Sequence, residues 1–115
     1  QQIPEMTVVG HNTATIRESL LESAFEIGEK FIEASKEHYD PGIIGPFCLQ
    51  TCIDKDMNYS IYDVAPRLGG GTNVHVSVGH PYGNATWRKP MSSGRRIALE
   101  LRRAAEQDRL LEVLT

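Results

Sequence analysis

The sequence predicts an α+β fold in which a small, mainly antiparallel sheet carries a long helix and a C-terminal helix on one face. Three patterns predict it. Apolar residues recur at helical spacing through Ile16, Leu20, Ala24, Ile27 and Phe31; two strand-forming runs flank the polar stretch Asp54 to Asn58; and a second helical stripe follows Pro90-Met91-Ser92-Ser93. Residues 1–115 read as a single domain.

In chain order, Met6-Thr7-Val8-Val9 reads as a short strand that ends in the turn cluster Gly10-His11-Asn12-Thr13. Thr15 followed by Glu18 matches a capping box, so the first helix is expected from about Ile16 to Tyr39, with Leu21, Phe25 and Ile32 widening its apolar stripe. Asp40-Pro41-Gly42 stops it. Phe47 to Ile53 and Tyr59 to Val64 then make a hairpin. The segment from Pro66 to Asn84 is glycine-rich and reads as a functional loop, partly extended across Asn73 to Val78. Ser92 or Ser93 caps the last helix, whose stripe is Ile97, Leu101, Ala104 and Leu111.

Composition narrows the function classes. A hydrophobic share of 40% suffices for one ordinary core. Twelve Lys and Arg against fifteen Asp and Glu give a net charge of −3, so there is no basic field for nucleic acid or an anionic membrane. No apolar run reaches the roughly 20 residues of a membrane span, and the N-terminal residues lack a signal-peptide pattern. A cytoplasmic protein is expected. The absence of an initiating Met suggests a fragment or a trimmed domain. Cys48 and Cys52, on one expected strand, are placed to remain reduced thiols.

The candidate chemistry centres on the hairpin. If Gln50 faces Asp63, the register closes on Asp56-Met57 and every pair keeps its alternation of faces. Directly opposed residues have Cβ atoms about 4.5–5.5 Å apart, so an amide oxygen and a carboxylate could share one hard cation. A solvated cross-strand pair is the other reading. Asp63 leads into Pro66-Arg67-Leu68-Gly69-Gly70-Gly71-Thr72-Asn73, where a guanidinium and a flexible backbone with free N–H groups suit a phosphate. A mobile turn is the alternative there. Arg95 and Arg96, in the first turn of the last helix, either meet an anion or lean outward to solvent or to Glu100 and Glu106.

His75 and His80 fall on opposite faces of a straight strand, and His11 and His38 have no neighbouring ligand pattern, which argues against zinc. No nucleophile elbow, full P-loop or paired Cys-x-x-Cys occurs. Trp87 and Tyr82 could stack on a base or simply pack.

Ile61-Tyr62-Asp63-Val64-Ala65-Pro66-Arg67 followed by Gly69-Gly70-Gly71-Thr72-Asn73 resembles the last acidic motif of ATP-grasp ligases, and Gln50 sits where that superfamily has its first metal-binding acid. Gly10-His11-Asn12, Arg17-Glu18-Ser19-Leu20-Leu21 and Pro90-Met91-Ser92-Ser93-Gly94-Arg95-Arg96-Ile97-Ala98 resemble the C-terminal region of the archaeal formamidoimidazole carboxamide ribotide synthetase family. The likeness covers nearly the whole chain. It implies the C-terminal part of an ATP-grasp fold, with the N-terminal and central domains absent from these residues. The implied reaction phosphorylates formate with ATP and passes the formyl group to the amine of aminoimidazole carboxamide ribotide (AICAR), giving its formylated product (FAICAR).

Carried onto this chain, the resemblance makes Gln50 and Asp63 Mg²⁺ ligands and gives Asn12 to the ribotide. Arg67 would act on the transferring phosphoryl group, with Gly70, Gly71 and Asn73 on the nucleotide phosphates. It also implies a homo-oligomer. The chain departs from the family pattern at Ala65, where a metal-binding asparagine is usual, at Gln50, which replaces an acid, and at Asp63, shorter than the usual glutamate. Two rival readings follow: a catalytically inert assembly module, and an ATP-grasp ligase joining a different acid to a different amine. By itself the chain is expected to be inactive.

Overall fold

The computed structural model describes residues 3–5, 7–12, 14–72, 87 and 89–114. Its regular elements are helix α1 (Leu21–His38), strands β1 (Cys48–Ile53) and β2 (Tyr59–Ala65), and helix α2 (Ser93–Glu106). Among the described residues, two helices and a two-stranded antiparallel sheet make an α+β arrangement.

The N-terminal strand expected at Met6 to Val9 is not formed by Thr7, Val8 and Val9, and Met6 lies outside the described residues. Val8 and Val9 are 78% and 97% exposed. A β-branched run becomes a strand only beside a partner, and no described strand lies next to this one. The capping box also fails. A 3₁₀ turn (Glu18–Leu20) comes first, and its N-cap is Arg17, extended and without a side-chain cap. Thr15 lies two residues ahead of that cap, too early for its hydroxyl to reach the first helical N–H groups.

The helix exit is as expected. Tyr39 is extended, with its N–H on the Ser35 carbonyl at 2.9 Å, and Gly42 donates its N–H to the Tyr39 carbonyl. Gly42 has φ +89, and a Cβ there would lie 2.7 Å from Lys36 Cγ and 3.1 Å from Lys36 Cα, so only glycine fits. Ser35 Oγ donates to the Ile32 carbonyl at 2.7 Å and accepts the Ile43 N–H at 3.0 Å. This aims the chain at β1, and just before that strand Phe47 meets Phe31 of α1 with ring centroids 4.8 Å apart.

The hairpin register departs from a simple two-residue turn. Asp54 N–H bonds the Asn58 carbonyl at 3.0 Å, Met57 N–H bonds the Asp54 carbonyl at 3.1 Å, and Met57 sits at φ 65. This is a three-residue loop: a turn followed by a left-handed residue. Asp54 Oδ1 accepts the N–H groups of Asp56 and Asn58, both at 2.9 Å. Those bonds, led by the one from the Asn58 backbone, hold the Asp54 carboxyl below its ordinary value. From the turn the pairs run Ile53↔Tyr59, Cys52↔Ser60 and Thr51↔Ile61; the register then slips, and Gln50↔Asp63, Leu49↔Val64 and Cys48↔Ala65 follow. Tyr62 is the extra residue of a bulge. The unbroken alternation expected from a turn at Asp56-Met57 is thus replaced by two irregularities that offset each other. Tyr59 Oη donates to the Leu20 carbonyl at 2.8 Å, tying the hairpin to the start of α1.

Ser92 caps α2 by accepting the Arg95 N–H at 3.2 Å, one of the two candidates for that role. At the other end, Asp108 adopts φ 56, its N–H reaches the Ala105 carbonyl at 3.1 Å, and Arg109 N–H reaches the Ala104 carbonyl at 2.7 Å. That pair of bonds is a Schellman closure with aspartate in the left-handed position.

A self-contained core, expected from composition, is not what these elements build. Ala65, Met91 and Ala104 are the apolar side chains buried among the described residues. Phe25, Tyr62 and Val64 stay 57%, 65% and 42% exposed, and Leu111, expected on the α2 stripe, is 89% exposed beyond the helix end. The radius of gyration is 16.3 Å, against about 13 Å for a compact chain of about this length. Among the described residues, two strands and two helices leave apolar faces with nothing opposite them. None of the described helices is long and apolar enough to cross a membrane.

Candidate functional site

Strand alternation puts Cys48, Gln50 and Cys52 on one face of β1, and the register sets Ala65, Asp63 and Ser60 opposite them. Gln50 and Asp63 therefore share a face as direct partners. Both are exposed, so the pair is hydrated and open to a ligand. Among the described residues no group of three His, Cys, Asp or Glu side chains is placed to hold a metal. The two oxygens offered by Gln50 and Asp63 are a hard donor set that suits a cation whose other places are filled by phosphate and water. Ala65, two residues on, is buried beside Cys48 and offers no side-chain ligand. Cys48 and Cys52 are free thiols.

Beyond β2 the chain turns back over β1. Arg67 is exposed, and its Nη1 donates to the Leu68 carbonyl at 2.7 Å. Gly69 to Thr72 form a turn closed at both ends: Thr72 N–H bonds the Gly69 carbonyl at 3.1 Å, and Gly69 N–H bonds Thr72 Oγ1 at 3.0 Å. The N–H groups of Gly70 and Gly71 make no hydrogen bond among the described residues. They are the free donors a phosphate would need. Asn73 lies outside the described residues, as do the extension expected at Asn73 to Val78, His75, His80 and Tyr82.

Two contacts fix this turn, and sequence reasoning missed both. A Cβ on Gly69 would stand 2.9 Å from Cys48 Sγ, and one on Gly70 would stand 2.7 Å from Nε2 of His11. Real Cβ atoms do not approach so closely, so a side chain at either position would have to displace Cys48 Sγ or the His11 ring. Nδ1 of His11 is also 3.8 Å from the corresponding point on Gly71. The segment carrying Asn12 is thereby brought to the glycine turn, itself seated on the β1 residue two before Gln50. Only the bare Gly-Gly-Gly run could have signalled this, as a place where something approaches the backbone.

Of the two arginines in the first turn of the last helix, Arg96 has a local carboxylate partner. Arg96 Nε bonds Glu100 Oε1 at 2.9 Å, the helix-surface pairing anticipated as the plainer reading. The same Oε1 accepts the Trp87 indole N–H at 3.2 Å. That indole bond first, and Arg96 after it, hold the Glu100 carboxyl below its ordinary value against the opposing effect of burial. Arg96 and Glu100 line a cleft of about 780 Å³ beside Ile44, Leu68, Thr72 and Leu101. The glycine turn therefore ends at that cleft.

A family model described as "Domain of unknown function (DUF1297)" matches residues 1–115. The chain is 41% identical over 112 residues to the 5-formaminoimidazole-4-carboxamide-1-(beta)-D-ribofuranosyl 5'-monophosphate synthetase of Methanobrevibacter smithii, covering 97% of this chain and 31% of that protein. The identically named proteins of Sulfurisphaera tokodaii and Saccharolobus solfataricus are 41% and 43% identical over 112 residues, in each case 97% of this chain and 33% of the relative. The chain thus spans about a third of the length of these relatives.

Proposed function

From its membership of the DUF1297 family, to which the chain belongs over its full length, we propose that it forms one wall of the active site of a purine-biosynthetic ligase. That ligase uses ATP and formate to convert AICAR to FAICAR through formyl phosphate. The observation that carries the reading is the direct opposition of Gln50 and Asp63 beside a turn with unpaired N–H groups.

In this reading Gln50 and Asp63 hold Mg²⁺, which when bound neutralises charge on the nucleotide phosphates. Gly70 and Gly71 present their N–H groups to phosphoryl oxygens, and Asn73 adds a side-chain amide. Arg67 exchanges its carbonyl partner on Leu68 for the transferring group, where a planar guanidinium can hold two oxygens at once. Asn12 hydrogen-bonds the ribotide. The formylated amine then forms as the ribotide nitrogen attacks the acyl carbon and phosphate leaves. The names of the relatives, each a synthetase of the formylated ribotide, support this substrate class.

The test is formate-dependent release of phosphate from ATP in the presence of AICAR, by the full-length polypeptide that carries this chain. Asp63→Asn is expected to lower turnover about 10²-fold. Unchanged turnover in that variant would remove Asp63 from the mechanism and favour an assembly module. Phosphate release with another acid or amine, but not with this pair, would reassign the ligase.

A further inference from the structure

We infer that His11 is a positioning residue, which sets the glycine turn and Asn12 in fixed relation to each other. The inference rests on the ligase reading for the roles of the turn and of Asn12, and goes beyond it in naming the side chain that couples them.

The geometry points to His11 because of what touches what. The imidazole edge lies over two successive glycines: Nε2, Cε1 and Cδ2 stand 2.7, 3.2 and 3.7 Å from where a Gly70 Cβ would be, and Nδ1 stands 3.8 Å from the Gly71 position. A ring seated this way limits how far the Gly70 and Gly71 N–H groups can swing. Without it, a three-glycine backbone has more conformational freedom than any other, and its donors would spend little time aimed together. The far side of the same turn is fixed by Cys48 against Gly69. The turn is therefore held between β1, which carries Gln50, and the residue next to Asn12. One contact joins the segment proposed for the ribotide to the segment proposed for the nucleotide phosphates. Effective catalysis requires the two reactants to be set against each other, not merely bound.

This coupling has a steric signature. Gly70→Ala places a methyl group where the imidazole sits, whereas His11→Ala vacates that place. If the contact transmits the positioning, the two substitutions act through one element and their effects do not multiply.

The experiment is a double-mutant cycle in the full-length polypeptide, reading KM for ATP, KM for AICAR and kcat for the parent, His11→Ala, Gly70→Ala and the double variant. His11→Ala is expected to raise both KM values, each by about tenfold, whereas Asn12→Ala raises that for AICAR alone. The double variant is expected to be no worse than the poorer single variant. His11→Gln, which restores bulk and an N–H, is expected to recover part of the loss. A merely structural role would lower the melting midpoint and leave both KM values where they were. That result, or effects that multiply in the double variant, would overturn the inference. If the parent does not join formate to AICAR, the ligase reading fails separately. The same cycle, read as binding of inorganic phosphate through the Gly70 and Gly71 amide signals, then decides the His11 coupling alone. Additive losses of phosphate affinity, or no response at those amides, would end it.

Discussion

Gln50 stands opposite Asp63 although the turn closing the hairpin starts a register that would place it opposite Tyr62. The bulge at Tyr62 absorbs one residue and returns the acid to the amide. The bulge thus compensates for the one residue by which this strand exceeds the register set by the turn.

Deleting Tyr62 is expected to leave that pairing intact. With the extra residue gone, the register set by the turn carries Asp63 directly to Gln50, and the ladder becomes regular. Cross-strand nuclear Overhauser contacts between residues 50 and 63 check this; their loss would mean that the bulge, not residue count, aligns the two.

Asp108 closes α2 from a left-handed conformation that disfavours side chains, and its carboxylate lies at the negative end of the helix. Asp108→Gly is expected to stabilise the chain by about 1 kcal/mol. The urea midpoint measures it, and an unchanged or lowered midpoint contradicts the closure.

Ser92 is the side-chain cap of the same helix. Ser92→Ala is expected to cost about 1 kcal/mol, and Ser92→Asp to cost much less because it restores the acceptor. Comparing the thermal midpoints of the two variants isolates the cap from general effects of substitution.

Glu100 has a depressed pKa in the folded chain, owing first to the Trp87 indole bond and then to Arg96. Such a group adds stability above its unfolded value, near 4.5, and that contribution disappears as pH falls through the lower folded value. Trp87→Phe is expected to raise the Glu100 titration midpoint and to flatten the acid side of the stability profile. Carbon-detected titration of the carboxyl group reads this directly, and an unmoved midpoint would separate the indole from the effect.

The hairpin and the opposition of residues 50 and 63 were legible because strand alternation is a local pattern. The path to that opposition was not, since Met57 gives no sequence sign of a left-handed residue and Tyr62 none of a bulge. The helix stripe was legible from Leu21 onward, yet Thr15 misled as a cap because a capping box is recognised by spacing while capping depends on where the helix begins. Val8 and Val9 spell a strand that the structure does not form. His11 and Cys48 escaped because contact with a glycine leaves its mark on the glycine, not on the visitor.

The scarcity of enclosed apolar side chains, limited among the described residues to Ala65, Met91 and Ala104, bears on how the molecule opens. Protection from amide exchange should rise in separate steps along the chain, with the hairpin and each helix releasing independently instead of in one concerted event. Anything that later covers Tyr62, Val64 and Phe25 would then merge those steps.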